Sequence, residues 1–222
     1  MFSNKKFAFT LAEVMVTMSI VGVVAAMTIP TLHYQRMKKE YSAKLKNFYS
    51  RMNNAILDMQ MDKGSFADMQ HPETNTGYNW YMTNLDPYMG HEYVVPGSKK
   101  VYYRDGSSMR ITCDTKGSCG CLDIAYDVNG DKGPNEMGFD NYAFLFCFSD
   151  NARETYFGRK DIFFGSYGGG FVAAGTTRAQ MIAKCGTKTV KADGSVDDGR
   201  AWCTRLLEND QWEFKSDYPW KF

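Results

Sequence analysis

Between Phe9 and Leu32 the chain runs for 24 residues with a single charge, the carboxylate of Glu13. As a helix this stretch covers about 36 Å, enough to cross a hydrocarbon core of about 30 Å. A short leader carrying Lys5 and Lys6 precedes it. Positive charge held in the cytoplasm then sends everything after Leu32 across the membrane. The plain alternative is a removable secretory signal, cut after Val24-Ala25-Ala26 to leave Met27 as the first residue. Glu13 argues against it, because a carboxylate in lipid is costly without a partner or a task.

The helical pattern also continues past that cut. Tyr41, Leu45, Phe48, Met52, Ile56 and Met59 recur at spacings of three and four, one stripe of an amphipathic helix. Gly64 is the first stop signal, so the pattern predicts one helix from about Phe9 to Asp62. Its first part is apolar all round and its second part has one apolar face. Pro30 and Gly22 weaken it locally, and membrane helices accommodate both. Between Arg36 and Arg51 six basic side chains (Arg36, Lys38, Lys39, Lys44, Lys46 and Arg51) accompany one acid, Glu40. They read as a solvated helix face or as a contact for phospholipid head groups.

The stretch "A-FTLAEVMVTMSIVGVVAAMTIPTL", with its basic leader, resembles the N-terminal signature of type IV pilins and of type II secretion pseudopilins. The resemblance covers Lys5 to about Leu32: leader, Phe9, Glu13 and Pro30 fall in register. It implies that a prepilin peptidase cuts between Ala8 and Phe9 and methylates the new amine of Phe9. It also implies that Glu13 pairs with the Phe9 amine of a neighbouring copy during filament assembly. Ala8 stands where that family normally has Gly. The physics fits, since Glu13 lies four residues from Phe9, about 6 Å along a helix. In a low-dielectric bundle the pair attracts, while either charge alone is costly, so pairing selects register. The implied organisation is a leader at 1–8, a membrane and filament-core helix at 9–32, its amphipathic continuation at 33–63 and a head at 64–222. The implied location is the inner membrane, single-pass with the head outside the cytoplasm, then a pilus or pseudopilus. The implied partners are copies of itself, other pilin-like subunits, the peptidase, an inner-membrane assembly platform and membrane lipid.

Beyond the helix the expected fold is α+β, with an antiparallel sheet packed on the amphipathic half. Residues 64–100 are rich in Gly, Pro, Asn and Asp and read as loops with one short helix. Strand-like runs follow at "KKVYYRD", "SMRITCD", "CLDIAYDV" and "NYAFLFCFS". "RAQMIAKC" and "GRAWCTRLLEND" read as short helices or turns, and "GSYGGGF" as a flexible loop. The six cysteines all lie in the C-terminal half, which after an export-like segment points to disulfides. Cys185 and Cys203 stand apart and are expected to pair. Cys113, Cys119, Cys121 and Cys147 then form two bridges whose connectivity the spacing leaves open. Zinc suits neither the Cys119-Gly-Cys121 spacing nor the distant histidines.

In "YDVNGDKGPNEMGFDNY", Asp127, Asn129, Asp131 and Asp140 supply oxygens of the kind calcium takes. The run is not an EF-hand, because its sixth position is Lys132 and its twelfth Gly138. The alternative is a turn in which Asn, Asp and Gly set backbone angles. Trp212, Phe214, Tyr218 and Trp220 are candidates for stacking on DNA. However, 26 basic against 25 acidic side chains gives a net charge of +1 and no basic groove. His33 adjoins the apolar run, and neither His71 nor His91 has a nucleophile motif around it. The reading is therefore a structural pilin-like subunit and not an enzyme. The alternative is an anchored or secreted binding protein, an adhesin or DNA-uptake subunit outside the filament body.

Overall fold

The computed structural model of the chain describes residues 9–66, 69–113, 119–168, 176–190 and 196–220. The chain divides into two compact units, Met1–Glu40 and Tyr41–Phe222. One helix, α1 (Leu11–Lys63), contributes to both and runs through Pro30 unbroken. It ends where Gly64 takes φ +90°, a left-handed conformation that glycine adopts without a Cβ penalty.

In the first unit α1 has no core of its own. Its apolar side chains are bare, from Leu11 at 79% exposed to Leu32 at 68%. Its hydroxyls turn inward: Thr17 donates to Val14 O, Ser19 to Met15 O, Thr28 to Val24 O and Thr31 to Met27 O. Polar groups satisfied within the helix add no unpaired donors to an apolar surround.

In the second unit the predicted stripe is the buried one. Tyr41, Leu45, Phe48, Met52, Ile56 and Met59 are all buried, with Ala55 beside them. They pack on a six-stranded sheet in the order β1 (Tyr93–Val95), β2 (Lys100–Tyr102), β3 (Ser108–Thr112), β4 (Cys121–Asp127), β5 (Asn141–Cys147), β6 (Phe164–Ser166). Every pairing is antiparallel, so the sheet is a meander. Alternation sends Met109, Ile111, Leu122, Ile124, Tyr126, Tyr142, Phe144 and Phe146 into the core. Phe48 stacks on Tyr126 with ring centroids 4.0 Å apart and meets Phe144 edge-on at 5.2 Å. Offset and edge-to-face pairs of this kind add to the burial of the rings.

Four of the strands lie within the runs expected from sequence; β1 and β6 do not. Gly165 and Ser166 belong to β6, whereas the rest of "GSYGGGF" beyond Gly168 lies outside the described residues. Residues 64–100 hold two short helices, α2 (Gly77–Asn84) and α3 (Asp86–Met89). A further helix, α4 (Asp150–Phe157), lies on the sheet's other face, where Phe157 packs with Leu145 and Cys147. Helix α5 (Arg178–Cys185) starts with a capping box of Thr177 and Gln180. A small hairpin of β7 (Lys188–Val190) and β8 (Val196–Asp198) follows, then a 3₁₀ turn and α6 (Trp202–Asn209).

Three disulfides join Cys113 to Cys119, Cys121 to Cys147, and Cys185 to Cys203. The second links residues that face each other across β4 and β5, and the third ties α5 to α6.

Candidate functional site

The start of α1 is built around one carboxylate. Glu13 Oε2 accepts from the Thr10 backbone N–H and the Thr10 hydroxyl, each at 2.8 Å. Thr10 Oγ1 in turn accepts from the Glu13 N–H at 3.3 Å. This is a capping box, which satisfies backbone donors that a helix start otherwise leaves unpaired. The Thr10-x-x-Glu13 spacing carries that signal in the sequence, and the reading of Glu13 as an assembly residue alone passed over it. Glu13 Oε1 takes no partner among the described residues. Phe9, just outside the helix, is 85% exposed, and Ala8 lies outside the described residues. The site therefore consists of a carboxylate with one oxygen engaged by its own helix, near the start of the bare apolar surface that runs to Leu32.

The basic residues after the run do not act as one group. Lys44 donates to Val128 O at 2.9 Å, and Arg51 donates to Met89 O at 2.6 Å with its guanidinium over the Tyr103 ring. These two fasten α1 to the head. Arg36, Lys39 and Lys46 are exposed.

The four calcium candidates do not share a centre. Asp131 faces outward, bonded to Lys100 Nζ at 2.5 Å and to the Tyr102 hydroxyl at 2.8 Å, which hold its carboxyl below the usual range. Asp140 is fully buried. Its oxygens receive the backbone N–H groups of Asn135 at 2.9 Å and Glu136 at 2.7 Å, and Asn129 Nδ2 approaches at 3.3 Å. Asn129 Nδ2 also donates to Tyr41 Oη. Asp127, 3% exposed, accepts from the Asn129 N–H at 3.1 Å. With the Asn135 amide turned so that its nitrogen faces the loop, that group donates to Asp127 Oδ2 at 2.8 Å. Burial pushes the Asp127 carboxyl up to about 6, and nearby Asp140 adds to the rise.

Calcium requires six to eight oxygens aimed at one point. Here N–H donors occupy the lone pairs that would have to converge. Among the described residues no three His, Cys, Asp or Glu side chains form a group that could hold a metal ion. The donor set does not fit calcium, and the loop is an Asx-type connection whose carboxylates order the backbone between β4 and β5.

Two of the four C-terminal aromatics belong to the core: Trp212 and Tyr218 are 5% and 7% exposed, and Tyr218 Oη donates to Gly138 O at 2.6 Å. Trp220 donates to Cys185 O at 3.1 Å, and Phe214 meets Tyr142 edge-on. They close the head and form no stacking platform. His91 Nδ1 lies 2.7 Å from Asp86 Oδ2, but every cysteine is in a disulfide.

Two protein families match this chain. "Family of unknown function (DUF6613)" matches residues 31–222, and "Prokaryotic N-terminal methylation motif" matches residues 3–29. No curated protein and no solved structure matches it. The second match covers the leader, Phe9 and Glu13, and identifies the segment as the pilin-like, prepilin-peptidase-processed kind.

Proposed function

The chain belongs to the DUF6613 family of unknown function, and we propose that it is a structural subunit that assembles through α1 into a type IV pilus or a type II secretion pseudopilus. The observation that carries this reading is the bare apolar surface from Leu11 to Leu32 with one carboxylate at its start. Such a surface needs lipid before assembly and neighbouring helices after it. Cleavage after Ala8 gives Phe9 a free amine, and the unengaged oxygen of Glu13 is the group to receive a neighbour's.

In this reading the head lies outside the cytoplasm of a single-pass inner-membrane protein. The three disulfides support that orientation, because they persist in oxidising compartments. Charge alone does not, since the six basic residues from Arg36 to Arg51 outnumber Lys5 and Lys6.

Two variants separate the roles of Glu13. Glu13→Ala removes both the cap and the charge, whereas Glu13→Gln retains a capping-box partner and removes only the charge. Both variants are expected to insert in the membrane and to be lost from filaments sheared from cells. Normal incorporation of Glu13→Gln would show that the charge pair does not drive assembly. Mass spectrometry of the purified chain is expected to give Phe9, with one added methyl, as the first residue. A start at Met27 would mean an ordinary secreted protein.

A further inference from the structure

The bare surface of α1 ends in a row that changes chemistry along one line. Ile29, Leu32, Arg36 and Lys39 follow at spacings of three, four and three, so they share one face of an unbroken helix. Ile29 and Leu32 are 62% and 68% exposed, and Arg36 and Lys39 are exposed as well. Neither cation makes a hydrogen bond, ion pair or ring contact among the described residues. The basic residues around them are employed: Lys44 donates to Val128 O, and Lys38 is half-buried with an interaction of its own. Glu40, the one acid of this segment, is engaged too.

A phospholipid presents the same order of chemistry along the membrane normal, hydrocarbon chains and then a charged head group. Arg36 lies four residues past Leu32, about 6 Å along the helix, and Lys39 about 10 Å. The head-group layer on each side of the hydrocarbon core is about 5–8 Å deep, so Arg36 stands at the level of the phosphates. Side chains lean toward the N-terminus of their helix, here toward the apolar run, and a lysine stem can extend along that direction to keep its charge in the interface. That returns the Lys39 ammonium to the layer of Arg36. Tyr34, 43% exposed, stands at the same boundary, where a ring with one polar end is at home.

We propose that Arg36 and Lys39 hold the head group of an anionic phospholipid whose chains lie along Leu32 and Ile29. A guanidinium takes two phosphate oxygens through parallel N–H bonds, and an ammonium three residues on adds its charge to the same group. Arg36, Lys38 and Lys39 against Glu40 leave the segment with a positive excess. A lipid with a net negative charge answers that excess, whereas a zwitterionic lipid brings a cation of its own to the site. The contact also gives a partner to basic residues that stand on the far side of the span from Lys5 and Lys6. The proposal rests on the reading of residues 9–32 as a membrane span and does not depend on filament assembly.

The test is electron spin resonance of the full chain, highly diluted in phosphatidylcholine vesicles, with a trace of spin-labelled phosphatidylglycerol or of spin-labelled phosphatidylcholine. The anionic label is expected to associate with the chain about fivefold more strongly, the effect of one basic residue near a membrane surface. The preference should shrink toward parity in about 1 M salt, where charges are screened within about 3 Å. Replacing Arg36 and Lys39 together with glutamine, a good helix former, is expected to remove most of the preference and leave the helical circular dichroism unchanged. Lys46→Gln, about 21 Å beyond Leu32, should behave as the parent does. The proposal is overturned if an inserted chain takes both labels equally, as it would if these cations await an acid of a second copy. It is also overturned by a double variant that keeps the parent's preference or by a Lys46→Gln chain that loses it. A chain that fails to insert would overturn the membrane span itself, which is a different result from an inserted chain without preference.

Discussion

Asp127→Asn tests the reading of the loop between β4 and β5 as a hydrogen-bonded connection that holds no cation. Burial raises the Asp127 carboxyl from its ordinary 3.8 to about 6. A group whose folded value is raised contributes stability below its unfolded value and loses it as pH climbs through the folded one. At about 1.4 kcal/mol per unit the full loss is about 3 kcal/mol, or about 2 after allowance for screening at the loop surface. Roughly half of it remains to be lost between pH 5 and pH 7.5. Asparagine never ionises, and the Asn135 amide can turn over to face it, so the loop retains a matched pair. The variant is therefore expected to melt about 4–8 °C above the parent at pH 7.5, with the gap about halved at pH 5. The assay is thermal unfolding of both chains in detergent, with and without calcium or a chelator. A variant that melts lower at pH 7.5, together with a parent stabilised by calcium, would refute the argument, because it would mean that the ionised carboxylate holds a cation.

Two other perturbations probe the C-terminal closure of the head. Arg178 binds Asp210 and Asp217 through two bonds each, and Lys215 is a second basic partner for Asp210. Burial works to raise the Asp210 carboxyl, but Arg178 and Lys215 outweigh it and hold it below the ordinary range; Arg178 also lowers Asp217. Arg178→Ala is expected to lower the melting temperature by several degrees at pH 7. Lowered carboxyls give stability that is lost as pH falls, so the gap should close below about pH 4; a gap independent of pH counts against the ion network. Replacing Cys185 and Cys203 together with alanine opens a loop of sequence separation 18. It should cost about 3 kcal/mol by loop-closure entropy, or about 6–12 °C in melting temperature, and an unchanged midpoint would show that α5 and α6 do not depend on the bridge.

The helix and its buried stripe were legible in the sequence because one period of three and four residues persists from Tyr41 to Met59, over about five turns of helix. The four central strands were legible for a related reason, the alternation of large apolar residues. Helix α4 was not, because "DNARETYF" has little apolar character. Its signals are the ends: Ser149 Oγ accepts from the Ala152 N–H, and Gly158 takes a left-handed conformation. The acidic loop shows the limit most plainly. Oxygen-bearing residues can be counted in a sequence, but the direction of the N–H groups around them cannot. Asp131 has its partner on β2, 31 residues earlier, and Asp140 spends its oxygens on backbone four and five residues back.

The same limit bears on Glu13, with the opposite consequence. Its engagement is local, three residues back to Thr10, so the Thr10-x-x-Glu13 spacing carries it, although the expectation of an assembly role alone leaves that cap unread. A cap made by Thr10 does not involve residues 1–8, and cleavage after Ala8 leaves its donors in the chain. Removal of the leader therefore need not unwind the start of α1 or release the carboxylate. It adds a positive terminus one residue before the cap. An oxygen fixed by its own helix and a second one open to a neighbour give a carboxylate whose position is set before assembly begins. A preset acceptor loses less entropy on pairing than a mobile one, so in the proposed filament the threonine belongs to the pairing site as much as the glutamate does.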